Sequence, residues 1–186
     1  MAGLRNLLGR YMGIKYRILS STAVFIWLAS SSLHAAEMLS QSQVVDIVVA
    51  CERVEHDYAI YRDRHDADAF ANIFTEQGEW GRSNGRVLKG RAAIGGYIRD
   101  LEAAMTEPEY HMQFTTTVQI KPTSAHTATG ISYALVLEAL APEDGGRATT
   151  VAGFQVASES RSTYEITEEG CKIATREYTT FFVDPE

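Results

Sequence analysis

The sequence of 186 residues lacks the short motifs that mark several common classes of enzyme. It contains no glycine-rich phosphate-binding motif of the Walker or Rossmann type, no Cys-x-x-Cys pair and no His-Glu-x-x-His motif, and we expect no cofactor. His65, Asp66 and Asp68 lie close together, but their spacing fits no standard zinc pattern, so we expect no metal site either. The chain also lacks internal repeats and low-complexity linkers, which favours a single folded domain.

An apolar run long enough to span a membrane is absent from the first part of the chain. The segment Ile18 to Leu28 is interrupted by polar residues and falls short of the roughly 20 residues that a span needs. Four basic residues and no acidic ones precede it, and small residues follow it, which is typical of a secretory signal. We predict a signal over residues 1–36, cleaved after Ala35 or Ala36. The product would be exported, to a periplasm or the medium, and would have no membrane attachment.

Basic residues are scarce in the predicted mature domain, residues 37–186. It retains 13 of the 17 lysine and arginine residues and all 24 acidic ones, a formal charge of −11. Such a surface repels phosphate backbones, so nucleic-acid binding is not expected. The length suits one domain with its own core.

Cysteine is almost absent, with only Cys51 and Cys171 in the whole sequence. An exported compartment permits a disulfide between them. The alternative is two buried thiols, because free cysteine behaves as a small apolar residue. Two cysteines alone fix no geometry, and we therefore predict separate thiols.

Helical patterns occupy the first part of the mature chain. Ser40 or Ser42 can cap a long helix that begins near Gln43, whose acidic side chains, Glu55 among them, are expected to be largely solvated. Asp66 is predicted to cap a second, short helix. The apolar positions of these two helices are Val44, Ile47, Val48, Cys51, Val54, Tyr58, Tyr61, Ala67, Ala69, Phe70, Ile73 and Phe74. We expect Gly78 to end the second helix, and residues 90–105 to form a third.

Strand patterns fill the rest of the chain. Residues 111–121 alternate, and five side chains are expected on one face: Met112, Phe114, Thr116, Val118 and Ile120. Residues 127–140 are apolar on both faces, and residues 149–166 and 171–183 form a final hairpin. Because three helices cover only one face of such a sheet, the other face should seek a partner, and we expect a homodimer.

Several segments together resemble the SnoaL-like branch of the nuclear transport factor 2-like superfamily. The resemblance covers roughly residues 42–183. It is carried by Tyr58-x4-Asp63-x2-Asp66-x-Asp68-Ala69-Phe70, Gly90-Arg91-Ala92-Ala93-Ile94, Tyr110-His111-Met112 and Gly170-Cys171-Lys172-Ile173-Ala174-x-Arg176. It implies a cone-shaped α+β barrel, with three N-terminal helices packed on a curved, mainly antiparallel sheet. This branch includes scytalone dehydratase and hexachlorocyclohexane dehydrochlorinase.

The resemblance also implies a site. In those enzymes an aspartate at the position of Asp63 orients a histidine at the position of His111, which removes a proton from carbon. Imidazole suits that role because it titrates near working pH. Tyr58 stands where the dehydrochlorinase pattern has a lysine; it would either hydrogen-bond a carbonyl or hydroxyl or pack in the core with its own hydroxyl at the rim. Arg176 matches a family arginine that would contact a leaving group or carboxylate; exposed, it would instead pair with Glu159 or Glu165.

Two functions follow from these expectations. The first is an exported lyase or isomerase that acts on a small, mostly apolar substrate in a hydrophobic pocket. Tyr97, Met112, Phe114, Phe154, Tyr178 and Phe181 are available as pocket lining or as plain core. The second is a non-catalytic module that binds a small hydrophobic molecule. A hydrogen bond between Asp63 and His111 inside a cavity would favour catalysis over binding alone.

Overall fold

The computed structural model describes the chain over residues 38–82, 85–105, 109–140 and 153–183. The predicted signal over residues 1–36 and the first residues of the predicted strand, 149–152, lie outside these residues. The described part contains three helices and six strands. None of its helices combines the length and the apolar character that a membrane crossing requires.

The long first helix, α1 (Gln41–Asp63), begins where the sequence predicts a cap. The Ser40 hydroxyl accepts the Gln43 N–H at 3.2 Å, and the Gln43 side chain accepts the Ser40 N–H at 2.9 Å. This reciprocal pair satisfies two of the N–H groups that a helix start leaves without partners.

The next two helices are shorter. Asp66 caps α2 (Ala67–Asn72) by accepting the Ala69 N–H at 3.0 Å, as predicted. The predicted helix end at Gly78 is wrong, because the chain is already extended in strand β1 (Phe74–Gly81). Apolar side chains continue across the boundary, and so the apolar pattern alone did not locate the change from helix to strand. The third helix, α3 (Arg91–Ala104), follows the short strand β2 (Val87–Lys89).

Four long strands complete the sheet: β3 (Glu109–Ser124), β4 (Thr127–Leu140), β5 (Gly153–Thr167) and β6 (Gly170–Val183). The strand order is β2-β1-β6-β5-β4-β3, and only the pair β1 and β6 is parallel. The predicted fold class, three helices packed on a mainly antiparallel sheet, is confirmed.

A bulge in β3 changes which of its residues face the core. Thr117 adopts a φ of 50°, and the pairing with β4 shifts between Thr116 and Gln119. Before the bulge Met112 and Phe114 point outward and are exposed; after it Ile120 is buried. The prediction that these residues share one face is therefore wrong, because one extra residue reverses the alternation.

The outer face of the sheet carries exposed apolar side chains. In β4 the inward residues Ala134 and Val136 are buried, whereas Tyr133 and Leu135, which alternate with them, are 41% and 38% exposed. Leu135 pairs directly with Phe114 of β3. Strand β4 is therefore apolar on both faces, although only its inner face is covered by other parts of the described chain.

Aromatic rings form the centre of the core between the helices and the sheet. Phe70 lies between Tyr58 and Trp80, with ring centroids 5.0 Å and 4.9 Å from its own. Phe74 and Tyr97 extend the cluster through the Trp80 ring. Packing of this kind ties α1, α2, α3 and β1 into one unit.

A disulfide joins Cys51 of α1 to Cys171 at the start of β6, with the Cα atoms 5.2 Å apart. The prediction of two separate thiols is wrong. The pairing depends on how α1 crosses the sheet, which is a tertiary property that cysteine spacing does not contain. The bond closes a loop over a sequence separation of 120 residues and therefore restricts the unfolded chain strongly.

A buried ion pair lies deeper under the same helix. Glu55 is 0% exposed and accepts a hydrogen bond from Arg176 Nη1 at 2.6 Å, and Arg176 is 1% exposed. Tyr164 and Ser132 donate to the same carboxylate at 2.6 Å and 2.7 Å. The expectation that Glu55 is solvated is wrong, and so is the expectation that Arg176 pairs with Glu159 or Glu165. Helix α1 packs against β6, and this packing brings Glu55 and Arg176 together.

Removal of the disulfide should destabilise the protein. In Cys51→Ala/Cys171→Ala we expect the free energy of unfolding to fall by about 2–5 kcal/mol, because the unfolded chain gains conformational freedom. Urea unfolding with and without dithiothreitol measures this. Reductant should lower the stability of the wild type and leave that of the double variant unchanged. Equal stability of the oxidised and reduced wild type would contradict the prediction.

Loss of the Glu55 charge should be costly as well. Burial alone would raise the pKa of Glu55, but the charge and hydrogen bond of Arg176 hold that pKa below its ordinary value. The stabilisation is therefore present above the pKa of the unfolded carboxyl and is lost as the pH falls through the lower folded pKa. Glu55→Gln should lower the unfolding free energy by about 3–5 kcal/mol, since Arg176 stays buried without its counter-charge.

Chemical unfolding across the pH range tests this second prediction. Glu177→Gln, an exposed neighbour of Arg176 on β6, is the matched control and should change little. The wild type should lose its advantage over Glu55→Gln in acid. A stability difference between the wild type and Glu55→Gln that is small at neutral pH, or that persists below the folded pKa of Glu55, would show that the pair does not act as described.

Candidate active site

Asp63, the last residue of α1, connects the helix end to strand β3. Its Oδ1 lies 2.8 Å from His111 Nδ1. Its two oxygens also accept the Gln113 N–H, at 3.0 Å and 2.9 Å. The carboxylate is 20% exposed and the imidazole 10% exposed, so the pair is shielded from most of the solvent.

Local structure explains why Asp63 faces the sheet. The helix ends at Asp63, and the chain turns through His65, whose φ of 53° lies in the left-handed region. The Asp66 N–H then donates to the Tyr61 carbonyl at 3.0 Å. On the other side, the alternation of β3 before its bulge points His111 and Gln113 inward.

A cavity of about 440 Å³ opens beside His111, and we call it the dyad cavity. It lies between the end of α1, α3 and the outer ends of β4, β5 and β6. Its lining consists of Arg62, His65, Arg82, Tyr97, Leu101, Met105, His111, Glu138, Gln155, Val156, Tyr178, Thr180 and Val183. A smaller recess of about 110 Å³ shares Arg62, Arg82, His111, Gln155, Val156 and Tyr178 with it and is also lined by Tyr58 and Trp80.

The hydrogen bond to Asp63 determines which nitrogen of His111 is available. An ionised carboxylate only accepts hydrogen bonds, so the neutral ring carries its proton on Nδ1. Nε2 then has a free lone pair that can accept a proton from a molecule in the cavity. Asp63 also stabilises the positive charge that the ring gains in doing so.

The four residues predicted for the site are not all in the cavity. Asp63 and His111 are in direct contact, and Tyr58 lines the recess while being 6% exposed. Arg176 lines neither space, because its guanidinium is hydrogen-bonded to Glu55. The Cζ atom of Arg176 lies 4.0 Å from the centroid of the Tyr58 ring, and Tyr58 in turn lines the recess.

The predicted lining residues divide in the same way. Tyr97 and Tyr178 line the dyad cavity. Met112, Phe114 and Phe181 are 55%, 44% and 54% exposed and line neither the dyad cavity nor the recess. The side chain of Phe154 lies outside the described part of the structure.

Two arginines that sequence reasoning missed also line both spaces. Arg62 lies four residues after Tyr58 on α1, and Arg82 lies two residues after Trp80 beyond β1. Helix periodicity puts Arg62 on the face of Tyr58, and strand alternation puts Arg82 on the side of Trp80. Either spacing is a usable signal, although arginine is in general most often solvent-exposed.

Burial and charge act together on the groups around the cavity. Burial lowers the pKa of Arg62, and the positive charge of Arg82 lowers it further. Burial also lowers the pKa of His65, with added effects from Arg62 and His111. Across the described residues, no group of three or more His, Cys, Asp or Glu side chains is arranged to hold a metal ion.

Comparison with known proteins identifies a family for the chain and solved structures with a similar fold. A family model described as a SnoaL-like domain matches residues 43–177. No curated protein matches the chain.

Among solved structures, one of a hexachlorocyclohexane dehydrochlorinase (LinA, type 2) has a TM-score of 0.64 at 17% identity, over 79% of this chain and 93% of its own. An NTF2-like protein with a cystatin-like fold from Novosphingobium aromaticivorans has a TM-score of 0.60 at 24% identity, over 74% and 83%. ActVI-ORFA from Streptomyces coelicolor has a TM-score of 0.60 at 18% identity, over 71% and 95%. At these identities the likeness shows a shared fold.

Proposed function

The chain belongs to the SnoaL-like domain family, and from that premise we propose that it is a lyase or isomerase in which His111 removes a proton from carbon. One observation carries the proposal: the 2.8 Å contact between His111 Nδ1 and Asp63 Oδ1 beside a cavity. A module that only binds an apolar molecule needs no such contact. The binding alternative is therefore the weaker one.

In the proposed reaction His111 Nε2 takes a proton from a substrate carbon. The electron pair of the broken C–H bond forms a carbon–carbon double bond. In an elimination, a leaving group on the adjacent carbon departs with its own electron pair. In an isomerisation, the adjacent carbon already carries a double bond, whose π pair moves to its far carbon, and that carbon takes the proton back from His111. Both routes balance without an oxidant or reductant.

The remaining predicted residues take different roles in this proposal. Tyr58 lines the recess and is suited to pack against substrate at its inner end. Arg176 is a positioning residue, because its contact with Glu55 of α1 fixes the helix that ends in Asp63. This arrangement supports an indirect role for Arg176 in place of the substrate contact expected from the family pattern.

Loss of either member of the dyad should stop proton abstraction. His111→Ala and Asp63→Asn should each lower turnover by about 10²–10⁴-fold, the range typical of general-base catalysis. The double variant should be little worse than either, since the two residues act as a unit. The readout is deuterium incorporation from D₂O, or elimination product, over a panel of small cyclic hydroxycarbonyl and halogenated compounds.

The control for these variants is His126→Ala, which removes an exposed histidine at the β3–β4 turn. It should retain full activity. Melting temperatures of all four variants separate loss of chemistry from loss of fold. A folded His111→Ala with unchanged activity would eliminate the proposal.

We also propose that the exposed outer face of the sheet binds a second copy of the chain. Met112, Phe114 and Leu135 are 55%, 44% and 38% exposed and lie on adjacent strands, where Phe114 pairs directly with Leu135 and Met112 with Leu137. A contiguous apolar surface of this kind is unusual on a monomer. An isologous dimer would cover the same patch on both copies.

Light scattering tests the proposed dimer. The wild type should have the mass of two mature chains at micromolar concentration, and Phe114→Lys should reduce it to one. Val45→Lys is the matched control, because Val45 is 48% exposed on α1 and lies away from the sheet face. A monomeric wild type would contradict the proposal.

Export remains part of the proposed function. The disulfide between Cys51 and Cys171 suits an oxidising compartment and supports export of the mature chain. N-terminal sequencing of protein recovered outside the cytoplasm should begin at Ala36 or Glu37. A start at Met1 would contradict processing.

A further inference from the structure

We propose that the dyad cavity contains an anion subsite, formed by Arg62 and Arg82, that binds a carboxylate group of the substrate. This inference rests on the proposed function and narrows its substrate to a small, mostly apolar carboxylic acid. Three features of the two arginines support the subsite: their position, their unused hydrogen-bonding capacity and the charge around them.

Both arginines are close to the proposed base. Arg62 directly precedes Asp63 at the end of α1, and Arg82 follows β1. Each lines the dyad cavity and the recess, as His111 does. A group held by the arginines would therefore lie in the same cavity as the imidazole.

Arg62 has a donor that lacks a partner. Its Nη1 atom is buried and makes no hydrogen bond within the described part of the chain. A buried guanidinium nitrogen without an acceptor is costly, and most such groups in native proteins are satisfied. Because Arg62 itself lines the cavity, a small rotation of its guanidinium would let Nη1 donate to a ligand oxygen there.

Arg82 is held in place without being neutralised. Its Nη2 donates to the Tyr97 hydroxyl at 2.9 Å, and its Cζ atom lies 4.3 Å from the Trp80 ring centroid and 4.6 Å from that of Tyr97. These contacts fix the guanidinium and leave its charge intact. A pre-positioned arginine of this kind loses little freedom when it binds an anion.

The nearby carboxylates do not balance the two charges. Asp63 already accepts from His111 and from the Gln113 N–H. Glu138 lines the dyad cavity and accepts a hydrogen bond from Gln155. Within the described residues, neither Arg62 nor Arg82 forms an ion pair with either acid, so the cavity has two unpaired cations in a chain that is acidic overall.

The geometry of the donors and the shape of the space favour a carboxylate. A guanidinium presents parallel N–H groups that match the two oxygens of a planar carboxylate. The cavity of about 440 Å³ has the size of a small-molecule site and includes Leu101, Val156 and Tyr178 for an apolar body. The same positive charges would stabilise negative charge on the substrate as His111 removes its proton.

Calorimetric titration of the mature chain tests the subsite with three probes. Benzoate carries a carboxylate on an apolar ring, benzamide is its neutral counterpart of the same shape, and inorganic phosphate is an anion without an apolar body. We expect benzoate to bind at least tenfold more tightly than either of the others. Arg62→Gln and Arg82→Gln should each weaken benzoate binding by about tenfold to a hundredfold, the range for a charge-assisted contact.

Matched variants make the outcome specific. Arg53→Gln, an exposed change on α1, should leave benzoate binding unaltered, and Arg62→Lys should restore part of it. Because two arginines are tested, a loss of folding in one variant leaves the other to decide. Benzoate that binds no better than benzamide or phosphate, or equally well to both glutamine variants, would overturn the subsite.

The subsite and the catalytic proposal fail in different ways. His111→Ala should still bind benzoate, because the arginines are untouched. Benzoate binding together with an active His111→Ala would refute the catalytic role and retain the subsite. Loss of turnover in His111→Ala, together with no preference for benzoate in the wild type, would retain the catalytic role and refute the subsite.

Discussion

The ion pair between Glu55 and Arg176 holds α1 in a fixed position across the inner face of the sheet. Both groups are almost fully excluded from solvent, and Tyr164, Ser132 and Ser162 supply hydrogen bonds that offset the cost of burying charge. The disulfide links the same helix to the start of β6. Two links between α1 and β6 leave the helix little freedom to slide, and the position of its last residue follows from them.

That last residue, Asp63, connects the helix to the candidate site. Its carboxylate bonds the backbone of β3 at Gln113 and the ring of His111, so one side chain both anchors the helix end and selects a tautomer. The lining of the cavity beside it includes two arginines and one glutamate, although residues 37–186 are strongly acidic. We infer that Arg62 and Arg82 serve substrate binding, because overall composition would not place there two arginines that lack an ion pair within the described residues.

Local chemistry was predictable from the sequence, and tertiary pairing was not. The caps at Ser40 and Asp66 depend on residues three positions away; Asp66 was predicted as a cap, and Ser40 as one of two alternatives. The family pattern brought Asp63 and His111 together, although helix periodicity gave no reason for Asp63 to face inward. The burial of Glu55 depends on contacts across the sheet, and the reversed face of β3 depends on one bulge at Thr117. No pattern in a single strand or helix contains that information.

The protonation of the His111 ring tests the central claim most directly. Nitrogen-15 NMR of the mature chain, at a pH where the ring is neutral, distinguishes a nitrogen that carries a proton from one that does not. If Asp63 orients a general base, Nδ1 carries the proton and Nε2 does not, and Asp63→Asn disturbs this preference. A wild-type ring with its proton on Nε2 would leave no lone pair facing the cavity and would contradict the account.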